Sequence, residues 1–187
     1  MAKVQIAVKL VGMRNILFDR YSGKKTDELE PLDKLYLAAD GKTVILPALN
    51  IMSFLSAINT VSAPQRVIGK AWKSVAAAAL SYVDIEPFDI PFTANGKSVL
   101  KDSDQISIVD GVARLPKGIP NEKSRPMLAK PWELSFTLSL FSNNILTENM
   151  LKRLFVEGGE QIGLGTFRGV YGKFIVDKWE KVNSLEK

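Results

Sequence analysis

The stretch Trp132-Glu133-Leu134-Ser135-Phe136-Thr137-Leu138-Ser139-Leu140 alternates apolar and polar side chains without a slip. That period of two predicts a strand with Trp132, Leu134, Phe136, Leu138 and Leu140 on one face and Glu133, Ser135, Thr137 and Ser139 on the other. A short helix follows, capped by Thr147 and carrying Met150, Leu151, Leu154 and Phe155. Its end is expected at Gly158-Gly159. Beyond a glycine-rich stretch, Lys173-Phe174-Ile175-Val176-Asp177-Lys178-Trp179 reads as a closing strand. This part of the chain is strand, helix, strand.

Toward the N-terminus, Val4, Ile6, Val8 and Leu10 share one face of a first strand. Residues 22–34 read as a charged loop. Asp40-Gly41 between two apolar runs predicts a hairpin with a type I′ turn. Pro47 opens a helix whose apolar face holds Ile51, Phe54, Leu55, Ile58 and Val61, and Pro64 starts a second, with Val67, Ile68, Ala71, Trp72 and Val75 as its stripe. Arg66, Lys70 and Lys73 fall opposite that stripe, as a solvated outer face or as a ridge that tracks phosphates. From Tyr82 to Lys130 the chain is rich in turns, with hairpins expected at Asn95-Gly96 and Asp110-Gly111. Residues 116–131 hold four of the nine prolines and read as a long basic loop. The order strand, helix, strand-rich middle, strand, helix, strand is the βαββαβ plan of an α+β, ferredoxin-like or RRM-like antiparallel sheet with β-hairpin insertions. One domain over 1–187, with a β-rich insertion at about 86–130, is expected.

Composition removes many functions. The chain has 187 residues, with no His and no Cys. Disulfides, zinc knuckles, iron–sulfur clusters, thiol nucleophiles and Ser–His–Asp triads are excluded. The net charge of +5 modestly favours a polyanionic partner. No segment approaches the ~20 apolar residues of a membrane span. The alternating N-terminus is unlike a signal peptide, so a cytoplasmic protein with no membrane partner is expected.

Six of the thirteen glycines lie between Gly158 and Gly172. Gly163-Leu164-Gly165-Thr166-Phe167-Arg168-Gly169 fails as a dinucleotide fingerprint, because its third glycine comes one place late and the loop follows a helix. Gly41-Lys42-Thr43 and Gly96-Lys97-Ser98 fail as phosphate loops, since Tyr36 and Pro91 stand where the earlier glycine is needed. What remains is bare backbone with Phe167, Arg168, Tyr171 and Lys173 interleaved. Such a loop could lie against a nucleic-acid backbone, with phosphates on the cations and bases on the aromatics. Equally, it could be a tight crossing where small residues let elements pack.

This arrangement resembles the RAMP superfamily, RNA-binding proteins that form the backbones of CRISPR effector complexes. The segment Gly163 to Phe174 is similar to that family's glycine-rich loop between last helix and last strand. Leu46-Pro47-Ala48-Leu49-Asn50 is similar to its approach to the first helix, with Ala48 and Leu49 where the family has glycine and serine. A short phage-borne relative is another placement of the same resemblance.

The resemblance implies a protein that clasps single-stranded RNA, or single-stranded DNA, and assembles head to tail as a homo-oligomeric filament or as a subunit of a ribonucleoprotein complex. Arg168 and Lys173 are the expected phosphate contacts, Phe167 and Tyr171 the stacking residues, and Gly163 and Gly165 the points of close approach. Arg125 and Lys123, with Arg66, Lys70 and Lys73, are secondary candidates. The alternatives are an assembly subunit that binds only proteins, and a metal-independent endoribonuclease, which lacks the His such relatives commonly use. Asp102 with Asp104, and Asp27 with Glu28 and Glu30, read as solvated loop charges. No catalytic residue, metal site or cofactor is expected.

Overall fold

Ten residues of alternating polarity, Lys3–Gly12, form β1, and its Ile6, Val8 and Leu10 are buried. The computed structural model to which this strand belongs describes residues 2–24, 28–58, 60–114, 118 and 120–182. A two-residue strand, β2 (Ile16–Leu17), and a 3-10 turn (Pro31–Lys34) lead to β3 (Ile45–Pro47) and α1 (Ala48–Ser56). Next come α2 (Ala63–Val67), α3 (Trp72–Tyr82), β4 (Val83–Glu86), β5 (Asp89–Ala94) and β6 (Lys97–Ser98). The chain continues through β7 (Ile106–Arg114), β8 (Pro120–Leu128), β9 (Glu133–Phe141), α4 (Glu148–Gln161) and β10 (Phe174–Lys181).

In the main sheet β1 lies between β10 and β9, antiparallel to both. On its far side β9 pairs with two short strands in turn. β4 meets residues 137–140, and β5 meets Glu133 and Leu134 before continuing to β3. This is the ferredoxin-like βαββαβ order, its second strand divided into β4 and β5. The helices cover one face. Phe54 of α1, Phe155 of α4 and Phe174 of β10 pack with ring centroids 5.7 to 6.5 Å apart, and Phe136 of β9 joins Phe155 at 6.2 Å. A second sheet, ordered β2-β8-β7, stands beside the first.

Several local expectations are corrected. Residues 120–128 are a strand rather than loop, in nine-residue register with β7 from Ile106↔Leu128 to Arg114↔Pro120. Pro126 is tolerated because its carbonyl accepts from the Phe18 amide on the β2 side. The missing N–H lies on that same side, so the β7–β8 ladder loses no donor. Asp110-Gly111 lies inside β7 opposite Ser124 and Lys123 and makes no turn. The chain does reverse at Asp40-Gly41, but only Gly41 has a positive φ (+67°). Asp40 Oδ1 accepts from the Lys42 and Thr43 amides, both at 2.8 Å, so the carboxylate builds this turn. The two positive φ angles of a type I′ turn occur instead at Asn95 (51°) and Gly96 (76°).

The helices also differ. α1 stops at Ser56, leaving Ile58 and Val61 exposed. The second helix is broken at Ile68-Gly69, where Gly69 adopts φ +74°. α4 runs through Gly158-Gly159 to Gln161. These glycines serve packing: a Cβ on Gly158 would sit 2.7 Å from the Ala63 Cβ, and one on Gly159 would sit 2.5 Å from the Phe174 ring. The Thr147 cap forms as read, its Oγ1 accepting from the Met150 amide at 3.3 Å.

Candidate nucleic-acid interface

The glycine-rich segment between α4 and β10 has an inner part and an outer arc. Inside, Ile162, Gly163, Leu164 and Gly172 are buried. Gly163 (φ +80°) and Gly172 (φ +69°) press against the opposite limb of the loop: a Cβ on Gly172 would run into the Leu164 carbonyl, and one on Gly163 into the Gly172 carbonyl. The inner amides are spent on the protein. Leu164 N donates to Gly172 O (3.0 Å), Thr166 N to Leu17 O (3.0 Å), Gly163 N to Gly158 O (3.2 Å) and Gly165 N to Asn50 Oδ1 (3.0 Å). Gly163 and Gly165 thus serve the tight crossing, and their amides face no ligand.

The outer arc, Thr166 to Tyr171, faces outward, with Phe167, Gly169 and Val170 exposed. Phe167 holds φ +54°, in the left-handed region that non-glycine residues seldom occupy. Arg168 folds back over α1. It donates to Ser53 Oγ (3.2 Å), Val61 O (3.5 Å) and Gly165 O (3.4 Å). All three acceptors are neutral, and no carboxylate pairs with Arg168 among the described residues. Burial lowers its guanidinium pKa below the ordinary value, and the group stays charged. Lys173, half-buried, has no ion-pair partner among the described residues; its carbonyl accepts from the Met13 and Arg14 amides.

Of the remaining candidates, Arg125 and Lys123 share an acid, and Arg125 also reaches the Phe167 ring of the arc. Arg125 is 5% exposed, with Nε 2.9 Å from Asp19 Oδ2, and Lys123 Nζ reaches the same oxygen at 3.5 Å. Arg66, Lys70 and Lys73 are exposed, but the break at Gly69 distributes them over α2, a 3-10 turn and α3. Asp102 and Asp104 are exposed, and Asp27 lies outside the described residues. Among the described residues no group of three or more His, Cys, Asp or Glu is placed to hold a metal ion.

Asn50, Ser53 and Asp19 are not among the site residues expected from the sequence. The first two are short polar residues in an apolar helix, and nothing local marks them as partners of a loop 115 residues away. Through Asn50 the two stretches that carry the family resemblance, Leu46–Asn50 and Gly163–Phe174, come into contact. A cleft of about 670 Å³ opens on the same side, lined by Arg20, Tyr36, Leu49, Asn50, Ser53 and Phe88 among others. Half-buried in its wall, the Tyr36 hydroxyl has its pKa raised by burial.

No family model matches the chain, and no curated protein matches it. Among solved structures it is similar to a chain in the cryo-EM structure of the Type III-B Cmr-beta bound to cognate target RNA, with a TM-score of 0.56 and 13% identity. The likeness covers 96% of this chain and 61% of that one, and it is a likeness of fold. No helix among the described residues is long and apolar enough to cross a membrane.

Proposed function

We propose that this chain binds single-stranded nucleic acid, RNA first, along its sugar–phosphate backbone at the outer arc of the glycine-rich segment, as a RAMP-type subunit of a cytoplasmic ribonucleoprotein assembly. The observation that carries the reading is Arg168: a part-buried cation positioned by three neutral acceptors and by no carboxylate among the described residues. A cation held this way offers its charge to an anion from outside. Phe167 stands beside it, exposed, for an unpaired base. Lys173 and Tyr171 extend the path. The fold likeness to a chain of an RNA-bound complex supports the reading.

Fluorescence anisotropy with a labelled oligonucleotide tests it. With about five phosphates held, the log–log salt slope should be about −3.5, taking ~0.7 per phosphate for single strands. Affinity indifferent to salt would end the proposal. We assign no catalytic step: a chain without His has no imidazole acid/base, and RNA incubated with the protein in EDTA should stay intact.

A second reading, a subunit that assembles with other proteins and needs no nucleic acid, is favoured by the exposed Leu49 and Phe88 at the large cleft. Size-exclusion with light scattering separates the two, because only the first predicts particles that lengthen when single strands are added.

A further inference from the structure

On the other side of the glycine-rich segment lies a crevice of about 410 Å³, lined by Met13, Arg14, Asn15, Lys130, Val170 and Tyr171. Its volume falls in the range of about 300 to 1,000 Å³ typical of small-ligand sites. Among the described residues no carboxylate lines it. Arg14 and Lys130 come from different links of the chain, β1 to β2 and β8 to β9, and neither has an ion-pair partner among the described residues. By contrast, Lys9, Lys34, Lys123, Arg125 and Lys181 are all paired with acids.

The walls are fixed through backbone groups. Trp132 Nε1 donates to Arg14 O at 2.8 Å, the Met13 and Arg14 amides both donate to Lys173 O, and the Lys130 amide donates to Asn15 Oδ1 at 3.1 Å. The two cationic side chains are therefore presented from a braced frame without being used in it. Met13 and Val170 are exposed and apolar, and Tyr171 adds a phenol ring. Two cations beside apolar and aromatic surface match a nucleotide, which is an anion joined to a planar base.

We propose that this crevice is a nucleotide site: a phosphate between Arg14 and Lys130, its base against Tyr171 and Met13, supplied by the strand that crosses the outer arc. The assignment rests on the reading of Arg168 above and extends the path around Val170 to the far side of the segment. An isolated nucleoside monophosphate carries the same chemistry.

Two probes separate these sources: a labelled 12-nucleotide oligouridine, and uridine 5′-monophosphate followed by amide NMR shifts. The Arg14→Ala/Lys130→Ala double variant keeps every backbone contact named above and should fold. It should weaken oligouridine binding by roughly tenfold or more and reduce the magnitude of the salt slope by about 0.7, the share of one phosphate. Unchanged affinity and slope in the double variant would overturn the site and leave the reading of Arg168 standing. If wild-type protein binds no oligouridine, that reading fails, and the crevice is decided by the mononucleotide. Shifts at residues 13–15 and 171 that vanish in the double variant keep it as a nucleotide site, and their absence overturns it.

Discussion

The guanidinium carbon of Arg125 sits 4.9 Å from the centroid of the Phe167 ring. Arg125, on the β7–β8 hairpin, is buried and tied to Asp19, whereas Phe167, on the outer arc, is 44% exposed. The hairpin thus props one face of an aromatic side chain that stays partly open to solvent. A propped ring is a better platform for stacking than a free one, because its ordering entropy is already spent.

Replacing Phe167 should separate stacking from charge. Phe167→Ala is expected to lower single-strand affinity by about 1–3 kcal/mol, with the salt slope unchanged. Anisotropy titrations at several salt concentrations would show both. A changed slope would mean that the substitution had moved a cation instead.

Arg168→Ala should act the other way, reducing the magnitude of the slope by about 0.7 and weakening all sequences alike, because phosphate contacts carry no base information. Arg168→Lys should keep most of the slope. Thermal melts of both variants control for the lost bonds to Ser53 and Val61.

The glycines should divide into two classes. At Gly172 a Cβ meets the Leu164 carbonyl and φ is +69°, so Gly172→Ala is expected to cost several kcal/mol, with strain and overpacking combined. Gly169 has φ +92° but open space around it, so Gly169→Ala should cost only about 1–2 kcal/mol. Urea denaturation of both variants tests the ranking. Equal costs would contradict the tighter packing at Gly172.

Asp19 holds two cations at once. Asp19→Ala leaves the buried Arg125 unpaired and should destabilise the protein by about 3 kcal/mol or more. Replacing both Asp19 and Arg125 with apolar residues should recover part of that loss. Equilibrium unfolding of the single and double variants forms the cycle that measures it.

Asp40 supplies a pH signature. Bonds from the Thr43 hydroxyl and from the Thr43 and Lys42 amides hold its pKa down to about 2, from an ordinary 3.8. A carboxylate with a depressed native pKa stabilises the fold above its unfolded value, and that contribution is lost as pH falls from about 4 toward 2. The expected result is a flatter stability profile across this window for Asp40→Asn than for the wild type. Parallel profiles would remove the assignment.

The elements that could be read in advance are those whose signal is local. β1 and β9 alternate in polarity and bury most of their apolar faces, although Ser139 on the polar face of β9 is buried too, and Thr147 caps α4. The misreadings share a different cause. Residues 116–131 look like loop because proline and lysine are poor strand formers, yet 120–128 pair with β7 along their whole length. Asp110-Gly111 has turn composition, but Ser124 Oγ donates to the Asp110 carboxylate at 2.6 Å across the ladder. In both places a partner strand overrides local preference.

The ferredoxin-like βαββαβ plan follows from the sequence alone, because periodicity and capping are properties of neighbouring residues. Which cations remain available followed only from the folded chain. Arg125 and Lys123 read as a free basic pair until Asp19, more than 100 residues away, claims both. Arg168 keeps its charge open because α1 offers it a hydroxyl instead of a carboxylate. Pairing of charges depends on distances in space, and those are set by how the sheet brings remote segments together.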